Sequence, residues 1–140
     1  MTEELRLPKR FADEMVAHCE EGRPNEACGI LAQKDGDLVA HFAMLNAATS
    51  PVRYGLDPRE QFAVYREMDE NGWELAGVYH SHTRTEAYPS PTDVRLASED
   101  VPYVIVSLAS TPASIRAFRI VKANWTDTEG EITEIPVVVS

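Results

Sequence analysis

His80-Ser81-His82, seven intervening residues, then Ser90 and Asp93 place two imidazoles, a hydroxyl and a carboxylate within fourteen residues. That set is able to hold a zinc ion with one coordination position open. Catalytic zinc takes three protein ligands and a water, whereas a structural site closes with four ligands, usually including cysteine. Glu74 to Tyr79 reads as a buried strand, and residues two apart on a strand share a face. His80 and His82 are therefore expected to point together off the strand's C-terminal end. Ser90-Pro91-Thr92-Asp93 reads as a helix start, with Ser at the N-cap and Pro at the first helical position. The loop Thr83 to Pro89 folds back in this reading and brings Asp93 under the two rings. The same Ser-x-x-Asp also matches a capping box, in which Ser90 and Asp93 only satisfy backbone donors. Two histidines at strand spacing beside a polar loop make poor core residues, and the chain has only four in all. Their presence favours the metal.

A hydrolytic zinc site also needs an acid held near the ion but not on it, to take a proton and deliver it to the leaving group. Glu26, in Pro24-Asn25-Glu26-Ala27-Cys28-Gly29-Ile30-Leu31, sits between a helix end and an apolar strand. A solvated loop acid is the competing reading. Cys28 and Cys19 read as small core residues rather than ligands or nucleophiles, and His18 and His41 as surface or satisfied histidines. Glu86 and Tyr88 either touch substrate or pack with the loop. Ser81 either orients a ligand or the scissile carbonyl, or faces the other side of the strand. Tyr54 to Pro58 either flanks a groove or is an ordinary helix entry.

The elements that must position these groups follow from periodicity. Leu5 to Leu7 is a short strand candidate. Lys9 to Glu21 carries apolar residues at helical spacing, with Gly22 as its stop. Ala27 to Ala32 and Leu38 to Leu45 are strands joined by an Asp35-Gly36-Asp37 turn. A polar loop, Asn46 to Val52, and an extended piece around Tyr54 to Leu56 precede a helix from Asp57-Pro58 through Glu70, ended by Asn71-Gly72. After the central strand come a helix over 92–99, strands Tyr103 to Leu108 and Ser114 to Val121, and a last strand Ile132 to Val139. Pro136 assigns that strand to an edge. The order implies an α+β fold, a mixed α/β sandwich with a central, mostly antiparallel sheet flanked by helices.

Length and charge bound the function. At 140 residues the chain is one domain, residues 1–140, able to bury about two-thirds of its unfolded surface. Thirteen Lys and Arg are scattered among 23 Asp and Glu, for a net charge of −10. No nucleic acid is expected as partner, because phosphate-backbone binding needs clustered cations. No apolar run reaches membrane-spanning length and the acidic N-terminus is not a signal peptide, so no membrane partner and a cytoplasmic location are expected. Both cysteines are then reduced thiols. The apolar end Ile135 to Val139 either pairs between subunits, making a homodimer possible, or finishes the core.

Pro-x-Glu-x-Cys-Gly-Ile-Leu followed downstream by His-Ser-His-x7-Ser-x-x-Asp resembles the JAMM metalloprotease signature of the MPN+ domain. The resemblance spans nearly the whole chain, and four separated positions agree. It implies one catalytic Zn2+ held by His80, His82 and Asp93, with Glu26 as general base and Ser90 as the hydroxyl that stabilises the oxyanion. The fold implied is the MPN sandwich, related in architecture to zinc deaminases. The stretch from Val78 to Asp93 is most similar to the bacterial branch, typified by peptidases that release cysteine from a ubiquitin-like sulfur-carrier protein. A carrier with a Gly-Gly tail bearing cysteine or a lysine amine is therefore the implied partner. The chain after Asp93 is short and largely assigned to strands, which leaves little room for an insertion that grips a distal ubiquitin. A zinc deaminase would need His-x-Glu with Pro-Cys-x-x-Cys, which this chain lacks. A non-catalytic scaffold would show broken ligands, and all are present.

Overall fold

The computed structural model describes residues 3–140. Eleven elements follow in order: β1 (Leu5–Leu7), α1 (Lys9–Gly22), β2 (Cys28–Lys34), β3 (Asp37–Met44), α2 (Pro58–Asn71), β4 (Glu74–His82), α3 (Pro91–Leu96), β5 (Tyr103–Ser107), β6 (Ser114–Val121), β7 (Glu131–Ile135) and β8 (Val137–Val139). A six-stranded sheet runs β3-β2-β4-β5-β6-β7, and β1 pairs with β8 in a separate two-stranded ladder. Only the β4–β5 pair of the large sheet is parallel, and α3 lies in the connection between those strands, as a parallel crossover requires. The expected mixed, mostly antiparallel α+β sheet is the observed one.

Each face of the sheet buries one helix. Phe11, Met15 and Cys19 of α1 pack with Leu31, Tyr79, Val104 and Val106. Met68 of α2 joins Ile30, Val78 and Tyr103 on the opposite face. Side chains of this kind each gain about 2 kcal/mol when fully buried. Strand alternation follows from this pairing: Val78, His80 and His82 share the α2 face, while Tyr79 and Ser81 share the α1 face.

Some element ends differ from the sequence reading. α1 does not stop through a left-handed Gly22. Its C-cap is Arg23 in extended backbone (φ −51°, ψ 139°), because the following Pro24 disfavours helical backbone at Arg23. α2 is closed by Gly72 in the left-handed region (φ 70°), with Asp57 accepting the Arg59 and Glu60 N–H groups at its start. α3 is shorter than the predicted 92–99, ending where Ala97 turns extended. The last predicted strand is two: β7 lies at the sheet edge beside β6, and at Pro136 the chain leaves to pair with β1. Val137–Val139 thus finds its partner within the chain.

Candidate metal centre

β4 is longer than expected and carries both histidines within its last three residues. Their Nε2 atoms lie 3.2 Å apart. The Asp93 Oδ2 accepts from His82 Nε2 at 2.8 Å and stands 3.1 Å from His80 Nε2. All three residues are buried, and their ligand atoms lie within 4.8 Å of one another. The Ser90 capping box is present as well: Ser90 Oγ accepts the Asp93 N–H at 3.1 Å, and the Ser90 N–H donates to Asp93 Oδ2 at 3.0 Å. Cap and cluster are therefore one arrangement. The cap aims the Asp93 carboxylate at the histidines.

The donor set fits a tetrahedral divalent ion. Ligands at about 2.0–2.1 Å around such an ion lie roughly 3.3 Å from each other, close to the separations here. Asp93 Oδ1 and Glu26 Oε1 are buried polar atoms with no partner among the described residues, and leaving such atoms unpaired is costly. The His82 Nδ1–H donates to the Glu86 carbonyl at 2.8 Å, which turns Nε2 toward the cluster. The Tyr54 ring stacks on His80 at 4.4 Å with planes 17° apart.

Charges in the cluster shift accordingly. Burial alone would raise the Asp93 pKa, but hydrogen bonds from His80 and His82 hold it well below the carboxylate range. Burial alone would lower the His82 pKa, yet the Asp93 carboxylate and the Glu86 carbonyl raise it. His80, more deeply buried, is lowered by desolvation against the pull of Asp93. The Glu26 carboxyl is pushed up to about 8 by burial and by the Asp93 charge, with His82 opposing.

Glu26 and Ser90 line one groove of about 480 Å³ together with His82, Val52, Thr83 and Arg84. Among the described residues Arg84 forms no ion pair. Ser81 faces away, toward α1. It accepts the Ala27 N–H on its Oγ at 2.8 Å, and its own N–H donates to the Ala27 carbonyl at 2.9 Å. Glu86 contributes only its carbonyl, and Tyr88 packs edge-on against Phe118 at 5.4 Å. Both cysteines are buried thiols pushed up to about 12 by desolvation. His41 is satisfied by Glu14 at 3.1 Å and the Tyr79 hydroxyl at 2.6 Å. His18 Nε2 sits 3.1 and 3.0 Å from the carbonyls of Cys28 and Met44. The sequence reading missed the Tyr54–His80 stack and the role of Asn46, whose amide donates to the Glu26 carbonyl at 2.9 Å. An Asn at a strand end signals a turn, and nothing in its identity says which backbone it will reach.

A profile of the family described as prokaryotic homologs of the JAB domain matches residues 8–121. The chain is 45% identical over 129 residues to the CysO-cysteine peptidase of Mycobacterium tuberculosis, covering 89% of this chain and 84% of that protein. It is 35% identical over 102 residues to the desampylase of Haloferax volcanii, covering 67% of this chain and 73% of that one. A solution structure of a protein from Desulfitobacterium hafniense superposes with a TM-score of 0.83 at 34% identity, covering 97% of this chain and 92% of the other.

Proposed function

The chain belongs to the family of prokaryotic homologs of the JAB domain and is a JAMM-type peptidase; from that premise we propose that it hydrolyses the amide after the C-terminal Gly-Gly of a ubiquitin-like sulfur-carrier protein and releases cysteine. The observation that carries the proposal is the meeting of His80, His82 and Asp93 beside an unpartnered Glu26 carboxyl in an open groove. His80, His82 and Asp93 are the residues that would hold one zinc ion. When bound, zinc supplies a Lewis acid for the scissile carbonyl and lowers the pKa of a coordinated water to about 7.

The chain's own groups do the rest. Glu26 takes a proton from the attacking water on its carboxyl oxygen and returns it to the departing amine. The Ser90 hydroxyl accepts the Asp93 N–H, so its own hydrogen is free to donate to the developing oxyanion. A donor of this kind is typically worth about 3 kcal/mol. Burial raises the basicity of Glu26 above that of an exposed carboxylate, which suits a residue that must both take and give a proton. In this reading the tail of the carrier enters extended along the groove lined by Glu26, His82 and Ser90.

The similarity to the Haloferax desampylase supports a second reading, in which the released amine is a lysine side chain of a conjugated protein. Both readings are tested by incubating the zinc-loaded protein with a carrier bearing C-terminal Gly-Gly-Cys and with a Gly-Gly-lysine isopeptide, followed by intact mass. Faster loss of cysteine from the first supports the principal reading, and faster cleavage of the isopeptide supports the second. Intact conjugates in both tubes, at full zinc occupancy, would refute the two together.

A further inference from the structure

Asn46 opens the segment between β3 and α2, and its side-chain amide makes four hydrogen bonds to backbone. Nδ2 donates to the carbonyls of Glu26 at 2.9 Å and Arg53 at 3.0 Å. Oδ1 accepts the N–H groups of Ala48 at 2.9 Å and Gly55 at 3.0 Å. Its backbone forms an antiparallel bridge with Leu56, and Ala47 N–H donates to the Gly55 carbonyl at 2.8 Å. The segment is thus folded around this one amide. A primary amide has two donor hydrogens and an acceptor with two lone pairs, so every bonding position is used.

Three of these bonds bear on the reaction site. The Glu26 carbonyl belongs to the assigned base, and its N–H is held by Ser50 of the same segment at 2.8 Å. Arg53 and Gly55 flank Tyr54, whose ring covers His80. The Glu26 Oε1 has no partner of its own among the described residues. With no hydrogen bond to fix that oxygen, the place of the carboxyl depends on the packing around the buried side chain and on where the backbone holds it. Among the described residues Asn46 makes no hydrogen bond to His80, His82 or Asp93.

We propose that Asn46 is a positioning residue for the hydrolysis: it locks the Glu26 backbone to the turn that carries Tyr54, and so fixes the base relative to the histidine pair. The inference rests on Glu26 serving as the base in the reading above. A base must stand about 2.6–3.2 Å from the proton it takes, and a displacement of about 1 Å can cost a hundredfold in rate. Asn46→Ala removes all four bonds. Asn46→Asp keeps the acceptor and removes the two donations, to Glu26 and Arg53.

The test uses zinc-loaded protein and a Gly-Gly-Cys carrier conjugate. Both variants are expected to bind one zinc as the parent does, with KM nearly unchanged and kcat lowered about 10- to 100-fold. In the Glu26→Gln background, adding Asn46→Ala should change the residual rate less than about twofold, because the base through which it acts is gone. In NMR spectra, the Glu26 carboxyl carbon should shift in Asn46→Ala while the His82 imidazole resonances hold. Unchanged kcat, an equal loss in both backgrounds, or loss of zinc in parallel would each overturn the proposal. Should Asn46→Ala fail to fold, Asn46→Asp decides. If the parent cleaves nothing with zinc bound, the functional reading fails, and the carboxyl resonance still decides the role of Asn46.

Discussion

A carboxyl pushed up to about 8 by burial and by the neighbouring Asp93 charge is a poor surface acid and a good proton shuttle at neutral pH. Glu26→Gln keeps the shape of the side chain and removes its basicity. Turnover is expected to fall about 10²- to 10⁴-fold with one zinc retained by atomic absorption, and parent-like turnover would strip Glu26 of its role. The histidines predict a different pH effect. His82 has a raised pKa, so in the metal-free chain it keeps its proton to higher pH than an ordinary histidine, and an ion must displace that proton. Zinc affinity should therefore rise with pH and fall as pH drops below the raised value, by about tenfold per unit for one displaced proton. Competition with a chelator at pH 6 and pH 8 measures this. Equal affinity at both would remove the His82 ring from the ligand set. The cluster of His80, His82 and Asp93 was legible in the sequence because chemistry demands those residue types at those spacings, whereas Glu26 stayed open between base and solvated acid until the family resemblance pointed to it. Asn46 and Tyr54 were not legible. One acts through backbone atoms that any residue supplies, the other through a ring stack that needs the fold to bring residues 54 and 80 together.

Elements place these groups through a few tight contacts. Gly29 in β2 lies against the Tyr79 ring of β4: a Cβ there would stand 2.2 Å from Tyr79 Cε1 and 2.6 Å from the Phe42 carbonyl. Gly29→Ala must displace the Tyr79 ring of the strand that ends in the histidines and strain the ladder between β3 and β2, the strand that follows Glu26. The expected cost is about 3 kcal/mol or more, a Tm lower by roughly 10 °C. A melting curve within 2 °C of the parent would show that these strands yield freely. Asp57→Ala removes the acceptor for two N–H groups of α2 and should cost about 1 kcal/mol, with kcat unaffected since α2 donates no group to the site. Caps and turns such as Asp57, Gly72 and Asp35-Gly36 were readable because their residue types act locally. The limits of α3 and the split at Pro136 were not. The partner of β8 is β1, at the far end of the chain, and sequence periodicity carries no trace of so distant a pairing.

Across the whole molecule, the three candidate ligands tie the end of β4 to the start of α3, while Glu26, proposed as base and not as ligand, arrives from the N-terminal third. An ion that binds only the folded chain stabilises it by RT ln(1 + [L]/Kd), about 2.7 kcal/mol at a hundredfold excess over Kd. For a chain of this size that corresponds to a Tm rise of roughly 5–10 °C. Zinc addition to the chelated protein is therefore expected to raise Tm in a concentration-dependent way, and chelation to reverse it. The variants should then divide cleanly. Glu26→Gln and Asn46→Asp keep the full zinc-dependent shift, because neither removes a ligand. His80→Ala, His82→Ala and Asp93→Ala lose it, each leaving a two-donor remnant. This division separates metal from chemistry in one scanning-calorimetry series that needs no substrate. A zinc shift surviving in Asp93→Ala would place the ion on other donors, and a shift abolished in Glu26→Gln would make Glu26 a fourth ligand. That second result would close the position that the attacking water needs.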